Sequence, residues 1–568
     1  MEKPQISRKK TQSVFETIYL IALAIVLFNT NNFAQTPGWN WAKGGSGSFN
    51  ENPGRIATDN SGNVYVAGSF ASTTIAFDAI TLTNAGSSTS DLFIVKYDPN
   101  GNVIWAKSAG GLNSDQATGI AIDSNNNVCI AGSFESSSLT FGPISITNNS
   151  IGSHDIFLAK FDSLGNIIWA KRAGGSVSDF CNGIATDGNG NILITGSYAS
   201  PLIAFGSTVF TNPGSMDLYV AKYDNNGNVI WARSHGGSDW DTGLSIKADI
   251  SGNVFVTGYF KSSAINFGSI SLTNSTGNSF SDLFIVKYDI NGIVQWAKNP
   301  QGTANESGND IATDVNGNVY ITGYYQSATL DFDTITITNN SPSYYDSFTA
   351  KYDNNGNVSW ANTTGGTFPD VGNGISLNTN GDVYVAGYFE SPSISIGNNT
   401  LFNSGSSDIF ILKFSNNGAP QWGISTGGTS QDLGNHLAIS ISGEIYLTGI
   451  FQSTTVPFGS TTLTNAGFFD VWTAKLSELT GIHENSHTAT FLLSPNPASN
   501  QFSINLNGSF EKSEIQITDI TGKEVYRHTF FENNALIVNT GGLADGLYTV
   551  TITTRAFTGS RKLIIQKK

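Results

Sequence analysis

Seven carboxylates recur at one place in a repeating pattern. Glu51, Asp115, Asp179, Asp239, Glu306, Asp370 and Asp432 each stand five residues ahead of an aliphatic residue, namely Ile56, Ile120, Ile184, Leu244, Ile311, Ile375 and Leu437. If these positions begin strands that surround an axis, the acids ring one rim. Converging carboxylates repel unless they are protonated, hydrogen-bonded or neutralised by a cation such as Ca2+. One reading has each acid accept hydrogen bonds from loop amides and staple adjacent units. A second makes the ring a cation site, and a third uses two of the acids as general acid and base on a polysaccharide.

Other motifs carry less chemistry. His483-Glu-Asn-Ser-His487 has the His-Glu-x-x-His spacing of a zinc protease, but it lies in a polar stretch without helical periodicity and without a third ligand downstream. Turns that begin at Asp59, Asp123, Asp187, Asp249 and Asp314 lack the alternating oxygen ligands and distal Glu of a calcium loop. They read as Asp-initiated turns with a residue of positive φ. Ser72, Asn84 and Asp91 have counterparts in every copy, and short polar residues fixed in this way cap turns. Neither a phosphate-binding Gly-x-x-x-x-Gly-Lys loop nor a Gly-x-Ser-x-Gly nucleophile turn is present. Departures from the pattern are where a unique site would lie. The residue before the aliphatic leader is glycine in four copies but Arg55, Asp310 and His436 in three, and His235 and Trp240 have no counterparts.

The elements that position these residues are strands. Trp41, Trp105, Trp169, Trp231, Trp296, Trp360 and Trp422 recur at intervals of 62–65 residues with the same order of segments between them. A short strand turns through Asp-x-x-Gly-Asn into a second (Val64-Tyr-Val-Ala-Gly-Ser-Phe70). After a 20-residue excursion, a third strand (Asp91-Leu-Phe-Ile-Val-Lys-Tyr-Asp98) turns into the Trp strand. Four strands per unit, repeated seven times, describe a seven-bladed β-propeller over residues 36–476. The last unit lacks its Trp strand and the chain begins with an orphan one at Trp39–Lys43, so the N-terminal strand is expected to close the ring.

The chain has 568 residues, 28 basic and 43 acidic, for a net charge of −15. The acidic excess sits in the repeats, and such a balance argues against nucleic-acid binding. Arg8, Lys9 and Lys10 precede the apolar run Ile18–Phe28 and the small Ala34, so residues 1–34 read as a secretory signal. Eleven apolar residues are short of the ~20 that span a bilayer, and no transmembrane segment is expected in the mature protein. The two cysteines, Cys129 and Cys181, are expected not to bond.

The repeat units (Trp-Ala-Lys, Gly-Gly, Ile-Ala-x-Asp-x-x-Gly-Asn, Val-Tyr-Val-x-Gly, Lys-Tyr-Asp) resemble the SBBP family of β-propeller repeats. That resemblance covers about 440 residues and implies the fold but little about activity. After a linker at 477–490, residues 491–568 carry seven strand-like runs, which suggest a small β-sandwich. Their motifs are Ser-Pro495-Asn496-Pro497, Asp519-Ile-Thr-Gly522-Lys523, Gly546-Leu-Tyr548 and Lys562-Leu-Ile-Ile. They resemble the type A C-terminal sorting domain of the type IX secretion system of Bacteroidetes. The resemblance implies that this machinery is a partner, and that the domain is removed on secretion or surface attachment.

The expectation is thus an all-β exported protein with no cofactor other than a rim Ca2+. Its leading function is non-catalytic binding or adhesion towards an extracellular glycan or protein. The alternatives are a polysaccharide hydrolase or lyase that uses rim carboxylates, and a passive structural surface protein.

Overall fold

A computed structural model describes residues 37–478 except 87 and 213. It also describes residues 491–567 except 495–497, 507–511, 520–522, 531–534 and 555–557. The signal segment, most of the linker with its His-Glu-x-x-His motif, and Pro495, Asn496, Pro497 and Gly522 lie outside the described residues.

Residues 38–477 form seven four-stranded antiparallel sheets, each with a satellite two-stranded hairpin. In sheet 1 the order from the axis outward is Glu51–Thr58, Val64–Phe70, Asp91–Tyr97 and Val103–Ala109. The second and third strands are buried on both faces, as their unbroken Val, Ile, Tyr and Phe runs require. First strands of consecutive sheets touch, and Glu51–Thr58 touches Asp432–Ile439, so the array closes on itself as a propeller.

Closure uses the N-terminal strand. Gly38–Gly45 pairs with Asp470–Ser477 as the outer strand of sheet 7, with Trp41 opposite Lys475. Each outer-strand Trp then latches onto the next sheet through its indole N–H. Trp105 donates to Ser163 O at 3.3 Å and Trp231 to Ile290 O at 3.0 Å. Trp41 donates across the seam to Pro99 O at 3.1 Å. Sheet 7 has no turn into an outer strand for Trp422 to reach, and the Glu478 carboxylate takes its place at 3.1 Å.

Two local devices set the axis. The Asp turns are closed by side chain: Asp59 Oδ1 accepts the amides of Ser61 and Asn63, and Gly62 adopts φ 78°. In the second repeat Asn126 takes the same conformation at φ 62°. Every first strand also carries a β-bulge, as between Pro53 and Arg55 in sheet 1. A bulge leaves one residue unpaired and re-aims its side chain. The bulged residues are Gly54, Thr118, Asn182, Leu244, Asn309, Asn373 and Asn435, and all seven line the axial mouth.

The C-terminal unit is separate. One sheet holds Glu524–Phe530, Ser513–Asp519, Gly546–Thr554 and Thr558–Ile565; the other holds Phe491–Ser494, Gln501–Leu506 and Ala535–Asn539. Phe502, Ile504 and Val538 from one sheet share a core with Ile515, Val550, Ile552 and Leu563 from the other, which makes a β-sandwich. Tyr548 is buried there and donates to Ala544 O at 2.9 Å. Gly546 opens its strand, Lys562 pairs with Thr549, and the Lys523 amide donates to Asp519 Oδ1 at 3.1 Å.

Candidate functional site

The carboxylate column does not ring one site. Six of its members (Glu51, Asp115, Asp179, Glu306, Asp370 and Asp432) are fully buried and accept a hydroxyl from the excursion loop of their own sheet. Ser136 donates to Asp115 at 2.7 Å and Ser200 to Asp179 at 2.8 Å. The incoming glycine linker adds an amide, as from Gly175 to Asp179 at 2.8 Å. In sheet 4 this role falls to Asp241, which accepts from Ser262 at 2.7 Å, while Asp239 caps the amide of Trp240. The equivalent aliphatic leader there is Ile246, not Leu244, because Ile246 pairs with Val256 as Ile56 pairs with Val66. Counting from the preceding Gly-Gly pair gives the right residue: Gly237 and Asp241 are spaced like Gly175 and Asp179.

Each of these acids sits beside one aspartate from the preceding sheet, as Asp115 does with Asp91 and Asp370 with Asp346. Among the described residues no three of His, Cys, Asp and Glu converge as metal ligands. Burial raises the carboxyls, against the hydrogen bonds they accept. Asp115, Asp179 and Asp241 are pushed up to about 6, and Asp370 to about 7. Glu51 and Glu306 are pushed up to about 8. Each of the seven junctions contains one buried carboxyl oxygen without a hydrogen-bond partner, such as Asp91 Oδ1 or Glu306 Oε2. These pairs join neighbouring sheets and are shut off from any polysaccharide.

Departures from the repeat meet on the axis. With the register of sheet 4 corrected, the position before the leader is glycine in three copies and Arg55, Ser245, Asp310 and His436 in four. Those four side chains form one cluster. Arg55 Nη1 lies 2.5 Å from Asp310 Oδ1 and 3.0 Å from His436 Nε2, and Ser245 donates to Asp310 at 2.6 Å. The Ile375 amide donates to the second Asp310 oxygen at 2.9 Å. Glycine at the other three positions leaves the space, since a Cβ on Gly119 would stand 2.6 Å from Ile184 and one on Gly374 2.9 Å from the His436 backbone. Burial alone would raise the Asp310 carboxyl, but Arg55, then His436 and Lys247, outweigh it and hold it well below the usual range. Burial lowers His436 to about 4, against the pull of Asp310, so its ring is neutral at pH 7. The cluster divides the axial channel, and Arg55 and His436 line a cavity on either side of it.

The cavity at the loop end, about 540 Å³, is lined by asparagines together with Leu244, Leu433 and Ile450. Asn182, Asn309 and Asn373 each donate Nδ2 to a carbonyl of the next sheet at 2.9–3.0 Å, which fixes the amides at the channel surface. The second strands add an asymmetry that the motif reading passed over. At the register of Ser69, Ser133, Ser197 and Ile450, sheets 4, 5 and 6 carry Tyr259, Tyr324 and Tyr388. Tyr324 packs against Tyr345 with ring centroids 4.6 Å apart and planes inclined at 60°. Burial, then the hydroxyls of Tyr345, Tyr259 and Tyr388, push its phenol up to about 12. Tyr344 and Phe368, both exposed, pack nearby in sequence at 5.3 Å with planes inclined at 41°. Gly-Tyr-[Phe/Tyr] in place of Gly-Ser-[Phe/Tyr] is a departure visible in the sequence.

The other flagged residues have structural roles. His235 is buried between Phe267 and Tyr288 with Nδ1 2.8 Å from Asn266 O. Trp240 is half exposed and donates to Ser215 at 2.7 Å. Cys129 and Cys181 are buried free thiols. The repeated Asn84 caps its loop through Phe70 O and Thr89 O.

Comparisons with known proteins agree with this architecture. The SBBP β-propeller repeat model matches residues 168–197, and the secretion system C-terminal sorting domain model matches residues 493–566. An uncharacterised WD repeat-containing protein of Acanthamoeba polyphaga mimivirus is 26% identical over 427 residues, 61% of this chain and 31% of that protein. The regulatory protein FlaEY of Caulobacter vibrioides is 28% identical over 141 residues, 24% of this chain and 14% of that protein. The chain thus spans under a third of either relative. Among solved structures, puromycin hydrolase aligns with 72% of this chain and 54% of its own at 9% identity and TM-score 0.37. Sqt1 from Chaetomium thermophilum aligns with 76% of this chain and 99% of its own at 9% identity and TM-score 0.32. The strand topology and the two family matches make the chain an all-β propeller protein with an export tail. It carries an SBBP propeller repeat and a type IX sorting domain, which directs it to the cell surface or the medium.

Proposed function

We propose that the propeller is a non-catalytic binding module and that its ligand is an extracellular glycan taken at the loop-end mouth. The observation that carries this reading is the placement of Tyr259, Tyr324 and Tyr388 at one register of three consecutive sheets, the register at which Ile450 of sheet 7 lines the axial mouth with Asn182, Asn309 and Asn373. Tyrosine offers a rigid apolar face with a hydroxyl at its edge, and fixed amides offer directed donors and acceptors. That combination suits a ligand with apolar ring faces and many hydroxyls. The buried carboxylate pairs, and the pairing of Asp310 with Arg55, Ser245 and the Ile375 amide, favour binding over turnover. Attachment to the surface or release into the medium, after removal of residues 1–34 and of the sorting domain, completes the reading.

A glycan-binding screen on the mature secreted protein tests it. Tyr324→Ala should weaken the selected glycan about tenfold or more, equivalent to ~1.4 kcal/mol, with an unchanged melting temperature. Equal binding by Tyr324→Ala and Tyr388→Ala would remove the mouth from the account.

A further inference from the structure

The second axial cavity lies on the turn side of the Arg55–Asp310–His436 cluster and has a volume of about 300 Å³. Its wall repeats a small residue at one register of the first strands: alanine at 57, 121, 185, 312 and 438, and Ser376 in sheet 6. Sheet 4 breaks the series with Lys247. A lysine in a ring of alanines is a large departure, and nothing in the chamber balances it. Lys247 Nζ makes no hydrogen bond or ion pair with any described residue, whereas the third-strand lysines Lys160 and Lys222 lie 2.7 and 2.9 Å from Asp123 and Asp187. Asp310, the acid that acts on Lys247, is already bonded to Arg55, Ser245 and the Ile375 amide. With Arg55 and Asp310 cancelling and His436 neutral, Lys247 is the one unpaired basic group of the chamber, and burial, against the pull of Asp310, holds it below the usual lysine value.

A second group there lacks a partner. His436 is 6% exposed and its Nδ1 is buried without a hydrogen bond. Arg55 Nη1, which can only donate, stands 3.0 Å from Nε2. Asp310 Oδ2 lies 3.3 Å from the same Nε2, so Nε2 has a partner in either tautomer and Nδ1 is unpaired in both. A part-buried lysine that faces a small cavity without a counter-charge calls for an anion. The net charge of −15 opposes anion entry only at long range, and salt screens it beyond ~10 Å.

We propose that this chamber binds one small oxyanion (a carboxylate, sulfate or phosphate), held by Lys247 Nζ with His436 at its floor. The site is independent of the loop-end mouth. Calorimetric titration of the mature protein with sulfate, inorganic phosphate and galacturonate, at constant ionic strength in chloride, tests it. The expected result is saturable binding of at least one of the three, with one site per propeller. Binding should weaken at least tenfold in Lys247→Met, persist in Lys247→Arg, and be unaffected by Tyr324→Ala. Preference for galacturonate would identify the end group of an acidic polymer, and preference for sulfate or phosphate the free ion. Selenate soaked into crystals should give anomalous density beside Lys247, a reading that does not depend on how the variants fold. Absence of saturable binding for all three at millimolar concentration, or equal binding by Lys247→Met, would overturn the proposal.

Discussion

Glu306 is fully buried, its Oε2 has no hydrogen-bond partner, and burial, then Asp282, push its carboxyl up to about 8 against the bond from Ser327. A carboxyl raised above its unfolded value of ~4.3 holds more protons in the folded state. Its stabilising contribution is full below pH ~4 and is lost as pH rises through the folded value. The other raised members, with values of about 6 to 8, act in the same sense, so the melting temperature of the propeller should fall between pH 5 and pH 8. Glu306→Gln keeps an acceptor for Ser327 and removes the ionisation. It should exceed the wild type by ~1.4 kcal/mol or more at pH 8, one pKa unit's worth, and match it at pH 5. A parallel loss in both proteins would contradict the account. Asp310 has the opposite sign, being held well below the usual range, and its contribution is lost only at strongly acid pH. Asp310→Asn leaves Arg55 without its counter-charge and should cost ~3–5 kcal/mol in urea unfolding at pH 7. Arg55→Met in that background should recover part of the loss. Arg55, Asp310 and His436 were legible as departures from the repeat, but Ser245 and Asp241 were not. In sheet 4, Leu244 and Ile246 are both aliphatic, and a count back from Leu244 reaches Asp239, whereas the Gly236-Gly237 pair four residues ahead of Asp241 carries the true register.

At the level of elements, the seven four-strand units were legible because fully buried strands leave unbroken Val, Ile, Phe and Tyr runs between Asp and Gly turns. The bulges were not, since the unpaired position accepts Gly, Thr, Leu or Asn alike. It is the bulge that turns Asn182, Asn309 and Asn373 towards the mouth, and so the mouth itself was hidden. Ring closure is an element-scale claim with its own test. Deletion of residues 36–45 removes the outer strand of sheet 7 and the Trp41 latch to Pro99. Loss of a packed Trp costs ~3–5 kcal/mol, and an exposed strand edge invites aggregation. The deleted protein should melt at a clearly lower temperature or aggregate, whereas deletion of residues 480–489 should leave the propeller transition in place. Equal behaviour of the two deletions would show that Gly38–Gly45 does not close the ring.

The whole molecule joins an export module to a propeller whose sevenfold regularity is broken along its axis and on one half of its mouth. The sorting domain accounts for export, and the proposed ligand sites rest on the breaks. Intact-mass analysis of the surface or culture-fluid protein should show neither residues 1–34 nor a C-terminal piece that begins between about residues 477 and 495. Truncation of Leu563–Lys568, which removes the end of the strand paired with Gly546–Tyr548, should hold the protein in the periplasm. The central claim is that the mouth binds a glycan and leaves it intact. Its most direct test follows one glycan selected in the screen through both binding and product release on the same sample of mature protein. The account predicts saturable binding that Tyr324→Ala weakens, with no new reducing or unsaturated ends over many hours. Steady release of such ends, abolished by Asp370→Asn or Asp239→Asn in a protein that still folds, would contradict it.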